Sequence, residues 1–346
     1  MLLTKGKGRT LESIYYQKLG PYQRSYDAAL RCYRSLGQIF SIAGDVSPRD
    51  LCLMVQYDHP ELFYVNKDFR LYPKLFGKDI RPDYMYSGYD IKKISKQLED
   101  IAASIIAELI NAHQSDFDKV RVLHDYLKTN LQYDTRYADE RVFNRENLEA
   151  HSVVGALIHH KCVCEGFAKA MKYLCDRISL ECWVVKGEAN NDLSRGNHAW
   201  NIVCINGYYH HVDVTWDNPT VNLDGFSDYS YLNLSDSEIG RDHTWKRDWY
   251  PACPSSPYNY FRVTDSLLDS KVQLDRFLYE SFSREDEFVM FRVERGSTLE
   301  REIMGYWPDA IEKASARCRY VRVDSWKYGS VPEQLTYYMK PQYTFL

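Results

Sequence analysis

The sequence contains no apolar run approaching the length of a membrane span, so no transmembrane segment is expected. Met1 to Thr10 is basic but lacks the apolar stretch of a secretory signal, which argues against export. Nor is there a disulfide framework. The cysteine count is nine, an odd number without regular spacing, and free buried thiols in a reducing, cytoplasmic setting are the expectation. Positive charge is not in surplus: 44 Lys and Arg stand against 48 Asp and Glu, a formal net charge of -4, which disfavours a general nucleic-acid or anionic-membrane role. No calcium loop of the Asp-x-Asp-x-Asp-Gly kind is present. His159-His160-Lys161-Cys162-Val163-Cys164 offers metal-binding residue types, but without the usual two-to-four-residue ligand loops, so neither metal nor cofactor is expected. Internal repeats and low-complexity tracts are missing too.

What remains is an ordinary globular composition, 45% hydrophobic and 27% charged over 346 residues, enough for two or three domains. Thr10 to Gly44 carries two helical patterns broken at Gly20-Pro21, the second placing Ala29, Tyr33, Leu36 and Phe40 on one face. Ser47-Pro48-Arg49-Asp50 is a helix-start signal, and that helix should end near His59. Phe63-Tyr64-Val65 and Arg70-Leu71-Tyr72 have strand composition. Asp90 is placed to cap a long helix striped with Ile91, Ile94, Leu98, Ile101, Ile105 and Leu109. Ser115 with Asp118 starts another carrying Val120, Leu123, Leu127 and Leu131. Thr135 to Glu149 and Asn218 to Ser230 are polar and unpatterned, hence loops. Three prolines between Pro251 and Pro257 mark a boundary. Beyond it the patterns give a strand (Tyr260 to Val263), a helix (Lys271 to Phe282) and a strand (Glu287 to Val293). A helix from Leu299 to Ala316, restarted at Pro308, and strands at Tyr320 to Val323 and Leu335 to Met339 complete the chain. The division is 1–89, 90–254 and 255–346, with small α+β accessory units flanking a central domain.

Chemistry concentrates between Lys161 and Asp217. A helical pattern begins at Cys164, with Phe167, Ala168, Met171, Leu174, Cys175 and Ile178 on one face. A thiol at a helix N-terminus meets unpaired amides and a dipole that favour its anion. A base follows in a second element. Asn206-Gly207 between two strand-like runs predicts a two-residue hairpin turn, pairing Ile205 with Tyr208, Ile202 with His211, Trp200 with Asp213 and His198 with Thr215. His198, Trp200, Asp213 and Thr215 then share a face, and Asp213 is the diagonal neighbour of His198. His211 shares that face and is a candidate site-lining residue, whereas His210 points away. Asp217 is a competing acid beyond the pairing, a turn former on this reading. Glu165 is expected as an exposed first-turn acid, and Cys162 would add a second thiol.

The three motifs Val163-Cys164-Glu165-Gly166-Phe167-Ala168, Asn197-His198-Ala199-Trp200-Asn201 and Val212-Asp213-Val214-Thr215-Trp216-Asp217 resemble those of the transglutaminase-like superfamily, in particular bacterial members described as cysteine peptidases. The resemblance covers about Asp90 to Pro254, including Leu131-Gln132-Tyr133-Asp134 and Asp242-His243-Thr244-Trp245, for which a structural clamp is the expectation. It implies an α+β fold of papain-like architecture, a helix bearing the cysteine packed on an antiparallel sheet. It also implies a catalytic set of Cys164 as nucleophile, His198 as base and Asp213 as its orienting acid. One oxyanion donor would be the Cys164 amide, and the Tyr133 region is where the second is sought. The partner is a peptide or protein substrate, with no nucleic acid and no membrane. Hydrolysis of a peptide or amide bond is the leading function. Protein-glutamine crosslinking and a non-catalytic scaffold of the same fold are the alternatives.

Overall fold

The computed structural model describes residues 14–43, 46–138, 144–190, 195–218 and 229–346. The basic stretch Met1 to Thr10 and most of the Asn218 to Ser230 loop lie outside these. The fold is α+β. Its centre is a five-stranded antiparallel sheet in the spatial order His243–Trp245, Cys182–Asn190, Arg195–Ile205, Tyr208–Val212 and Leu232–Leu234, with a three-stranded sheet before it in sequence and a four-stranded one after it. Among the described residues no helix is long and apolar enough to cross a membrane.

The N-terminal strands are β1 (Phe40–Ile42), β2 (Val65–Pro73) and β3 (Lys78–Tyr84). The second helical pattern ends at Arg34, because Leu36 adopts a left-handed φ of 54° and turns the chain; Phe40 therefore belongs to β1 and not to the helix face. Phe63 and Tyr64 form a turn, and the strand starts at Val65. Ser47 caps the Pro48–Asp58 helix through the Asp50 amide, as its signal predicts. For the Gly88–Leu109 helix the cap is Ser87, whose side chain accepts from the Asp90 amide, so Asp90 is the third helical residue and not the cap. Ser115 does the same for Asp116–Asn130. The segment expected to be a loop between Thr135 and Glu149 contains a 3-10 turn, Thr135–Tyr137, and the helix Arg145–Ala150, which Asn144 caps.

Strands β4 (Gln132–Tyr133) and β5 (Lys161–Cys162) pair in parallel and bring Tyr133 beside the start of the Cys164–Arg177 helix. That helix is buried along almost its whole length, with Phe167, Met171 and Leu174 at 1%, 0% and 0% exposure. Each contributes about 1.5–3 kcal/mol of burial. It packs on β6 (Cys182–Asn190) and β7 (Arg195–Ile205). Asn201, buried in β7, ties the two layers together: its Nδ2 donates to the Ala168 carbonyl at 2.9 Å and to the Trp183 carbonyl at 3.0 Å. Asn206 and Gly207 take φ of 50° and 85°, so β7 turns into β8 (Tyr208–Val212) with Ile205 opposite Tyr208 and Ile202 opposite His211. β9 (Leu232–Leu234) and β10 (His243–Trp245) close the two sides of the sheet.

Among the described residues, two hydrophobic cores form. One gathers residues from Tyr15 to Cys253; the other, from Leu268 to Met339, lies between the last sheet and two helices. The last sheet comprises β11 (Leu267–Leu268), β12 (Val289–Val293), β13 (Val321–Val331) and β14 (Thr336–Phe345), the final two longer than their apolar patterns suggested. Tyr260–Val263, expected as a strand, is a helical turn capped by Asn259. Thr298–Arg317 runs through Pro308 as one helix and not two. Between β13 and β14 a 3-10 turn, Pro332–Gln334, buries Gln334 against the first core.

Candidate active site

Cys164 opens its helix, and Val163, the residue before it, supplies no side-chain cap to the first turn. The half-buried thiol meets the sheet at β7, where His198 stands opposite Gly187 of β6. His198 is 7% exposed and lies among Trp200, stacked at 6.0 Å, Trp216 at 5.6 Å and His243 at 5.4 Å. Its Nε2 is 2.6 Å from Asp213 Oδ2, and Cys164 lies near enough for its charge to act on the ring. With Nε2 on the carboxylate, Nδ1 is the nitrogen left for sulfur. The fold thus brings Cys164, His198 and Asp213 together.

The route by which Asp213 arrives differs from the expected strand pairing. β8 ends at Val212, and residues 214–217 form a turn, so neither Asp213 opposite Trp200 nor Thr215 opposite His198 is a pair of the ladder. Asp213 sits just past the strand end. Its Oδ1 accepts from the Thr215 amide at 2.9 Å and the Trp216 amide at 3.2 Å, which leaves Oδ2 for histidine. The side chain that closes the turn is also the one that holds the ring, which suits Asp in a turn better than in a strand interior.

Electrostatics follow from burial. Desolvation alone would push the His198 imidazolium down, but the Asp213 charge and then Cys164 outweigh it and lift the pKa to about 10. Burial opposes ionisation of Asp213, yet the charge and hydrogen bond of His198, with those of His243, hold its carboxyl well below the usual range. Burial, followed by the neighbouring negative charge of Cys164 and Asp213, keeps the Tyr133 phenol protonated. Cys162 lies beneath Gly166, wholly buried, and burial pushes its thiol up; it is a packing residue.

His243, expected from the sequence as a structural clamp, is a second histidine on Asp213. His243 Nε2 is 3.1 Å from Asp213 Oδ2, and its Nδ1 is 2.5 Å from Asp242 Oδ1. Asp242 Oδ2 in turn accepts from the Tyr231 hydroxyl at 2.7 Å and from Gln334 Nε2 at 3.3 Å. A structural clamp understates this residue, since it touches the acid that holds His198. Asp217 does more than turn the chain: its Oδ2 is 3.0 Å from buried His124 Nε2, and it accepts from the Tyr231 amide at 3.0 Å. His211 does not line the site. It lies behind Trp200, accepting from the indole at 2.9 Å and meeting Asp236 Oδ1 at 2.9 Å. His210 is buried on the other side, its ring edge-on to Tyr258. Glu165, expected exposed, is 5% exposed and bound by Lys67 at 2.6 Å, Lys169 at 2.8 Å and His151 Nδ1 at 3.0 Å.

Ligand atoms of His198, Asp213 and His243 lie within 4.8 Å of one another, as do those of His211, Asp236 and Cys253. In the first group both Nε2 atoms are already committed to Asp213, and in the second both His211 nitrogens are engaged. Hydrogen bonding accounts for both clusters.

A buried helix whose N-terminal thiol faces a histidine and an acid on an antiparallel sheet is the architecture of the papain-like class. Residues 103–214, about a third of the chain, match the model of the transglutaminase-like superfamily. The chain is similar to kyphoscoliosis peptidase of Homo sapiens, 23% identical over 243 residues, which cover 63% of this chain and 35% of that protein. The Mus musculus protein of that name is 25% identical over 126 residues, covering 34% and 18%. The chain thus spans about a third of the human relative's length. A crystal structure of a TGase aligns with a TM-score of 0.31 at 16% identity, covering 51% of this chain and 50% of that one.

Proposed function

We propose that this chain is a thiol acyl-transfer enzyme that hydrolyses a peptide or amide bond, with Cys164 as nucleophile, His198 as base and acid, and Asp213 as the group that orients and charges the imidazole. The observation that carries the reading is the 2.6 Å contact from Asp213 to a histidine on which the charge of the helix-terminal Cys164 also acts. Transfer of the thiol proton to His198 Nδ1 gives a thiolate beside an imidazolium. Sulfur adds to the substrate carbonyl carbon, and the carbonyl oxygen takes the electron pair. The Cys164 amide and the protonated Tyr133 hydroxyl are the donors for that oxygen. Collapse of the adduct expels the amine, which leaves with the proton from Nδ1. Water, deprotonated by the same nitrogen, then releases the acyl group as a carboxylic acid and restores the thiol. Hydrolysis, and not transfer to a lysine amine, is favoured by the likeness to proteins named as peptidases. The substrate is accordingly a peptide or a protein.

Iodoacetamide tests the nucleophile. Cys164 should react faster than the other eight cysteines at neutral pH, and His198→Ala should slow it. Equal rates, or indifference to His198, would leave a scaffold of the same fold. A glutamine-containing peptide incubated with and without a primary amine separates cleavage from crosslinking by product mass.

A further inference from the structure

A cavity of about 540 Å³ has Gln334 in its wall, and the amide of Gln334 reaches Asp242 of the candidate site's hydrogen-bond network at 3.3 Å. Four arginines, Arg241, Arg262, Arg292 and Arg295, line it against two glutamates, Glu238 and Glu294. Two of the four are matched: Arg262 pairs with Glu294 at 3.2 Å, and Arg292 Nη1 lies 3.6 Å from Glu238 Oε1. The other two converge. Arg241 and Arg295 each donate to the single carbonyl oxygen of Glu333 at 3.2 Å. Arg295 also reaches Glu300 at 3.4 Å, outside the lining, whereas Arg241 makes no carboxylate pair among the described residues. The shared carbonyl is neutral, so the Arg241 charge has no carboxylate paired with it among the described residues, and an anion with several oxygens can reach both guanidinium forks at once. Serine side chains at Ser235, Ser237, Ser255 and Ser256 share the wall, and Leu267 and Val293 give it an apolar side.

We propose that this cavity binds an organic phosphate monoester, with Arg241 and Arg295 clamping the phosphate and the apolar wall taking its organic body. A doubly charged group with three free oxygens matches two guanidinium forks and several hydroxyls better than a single carboxylate does. Occupancy is read at the candidate site through Gln334. Its Oε1 accepts from Arg241 at 3.4 Å, while its Nε2 donates to the Glu238 carbonyl at 3.2 Å and to Asp242 Oδ2 at 3.3 Å. Phosphate that draws Arg241 away releases one end of this amide, and the other end holds the carboxylate that orients His243. The link rests on the proposed role of the His198 network; the binding does not.

Phenyl phosphate is the probe, titrated into the full chain by calorimetry and thermal melting, beside phenol and sodium chloride at matched ionic strength. Saturable binding and a rise in Tm are expected with phenyl phosphate alone. Arg241→Gln and Arg295→Gln, both at exposed side chains, should each weaken it about tenfold or more. Cys164→Ala should bind as tightly as the parent, which keeps this outcome independent of any catalytic role. Equal stabilisation by salt, or unchanged affinity in both arginine variants, overturns the pocket. The His243 ring resonances should move on titration and stay still in Gln334→Ala; binding that leaves them unmoved in the parent overturns the link.

Discussion

His243 brings its Nε2 to 3.1 Å from Asp213 Oδ2, the same oxygen that His198 meets at 2.6 Å. One carboxylate oxygen therefore serves two rings, and the second ring is itself anchored by Asp242 at 2.5 Å. His243 acts on His198 only through Asp213, as a positioning residue. His243→Gln should slow alkylation of Cys164 without abolishing it. It should also cost about 1–3 kcal/mol of stability, because Asp242 is left buried with an unfilled acceptor. Asp242→Asn should have a smaller effect in the same direction, since Asn retains one oxygen for the Nδ1–H. Alkylation rates and urea midpoints measured together check both; a His243→Gln protein with parental rate and midpoint would remove His243 from the network.

The two perturbed groups of the site set opposite limits on pH. His198 is lifted to about 10 in the fold, so its contribution is complete below its unfolded value of roughly 6.5 and is lost as pH rises through about 10. Asp213 is depressed, so its contribution is present above roughly 4 and is lost as pH falls below that. Stability from this pair should therefore peak between roughly pH 4 and 6.5 and decline toward pH 10. Asp213→Asn removes the carboxylate and leaves the desolvation, so the His198 titration should fall well below 10. Histidine ring resonances followed against pH in both proteins check this, and a midpoint near 6.5 in the parent would contradict it.

These features were not equally legible in the sequence. The thiol at its helix start and the Asn206-Gly207 hairpin depend on neighbours within a few residues, and both stand where their local patterns put them. The expected ladder runs on to Thr215, three residues past the strand's end at Val212, although an Asp two residues before a Thr at a strand end is also an Asx-turn signal. His243 reaches the site from a strand that pairs with β6 more than fifty residues earlier, and no short-range pattern encodes such pairing. Glu165 looked like a solvated first-turn acid because two of its partners, Lys67 and His151, precede it by 98 and 14 residues. In the last sheet, the interrupted apolar patterns of β13 and β14 hid strands of 11 and 10 residues that pair with each other along their length.

Glu165 carries a stability prediction of its own. Its carboxylate is buried, and against the cost of burial the charges of Lys169 and Lys67, with His151, hold it well below the usual range. Glu165→Gln leaves two ammonium groups facing a neutral amide at 7% and 22% side-chain exposure. Breaking one side of a buried cluster costs about 3–5 kcal/mol, less here because Lys67 reaches solvent. Glu165→Gln with Lys67→Met should recover part of the loss; a double variant no better than the single would show that the lysine charge is not the cause.

Gly166 and Gly305 make a matched pair of opposite sign. Both lie inside helices, where Gly→Ala ordinarily stabilises by about 1 kcal/mol. At Gly305 a Cβ would meet nothing within 4 Å, so Gly305→Ala should deliver that gain. At Gly166 a Cβ would fall 2.5 Å from Cys162 Cβ and 2.7 Å from the Ala150 carbonyl oxygen. The helix start must then move off β5 and the Arg145–Ala150 helix, at about 1–3 kcal/mol. Because Cys164 is two residues away, the same shift displaces sulfur from His198. Gly166→Ala should thus lower the urea midpoint and slow alkylation of Cys164, whereas Gly305→Ala raises the midpoint and leaves alkylation alone. Gly166→Ala behaving like Gly305→Ala would mean that the close packing under the first turn does not hold the thiol in place.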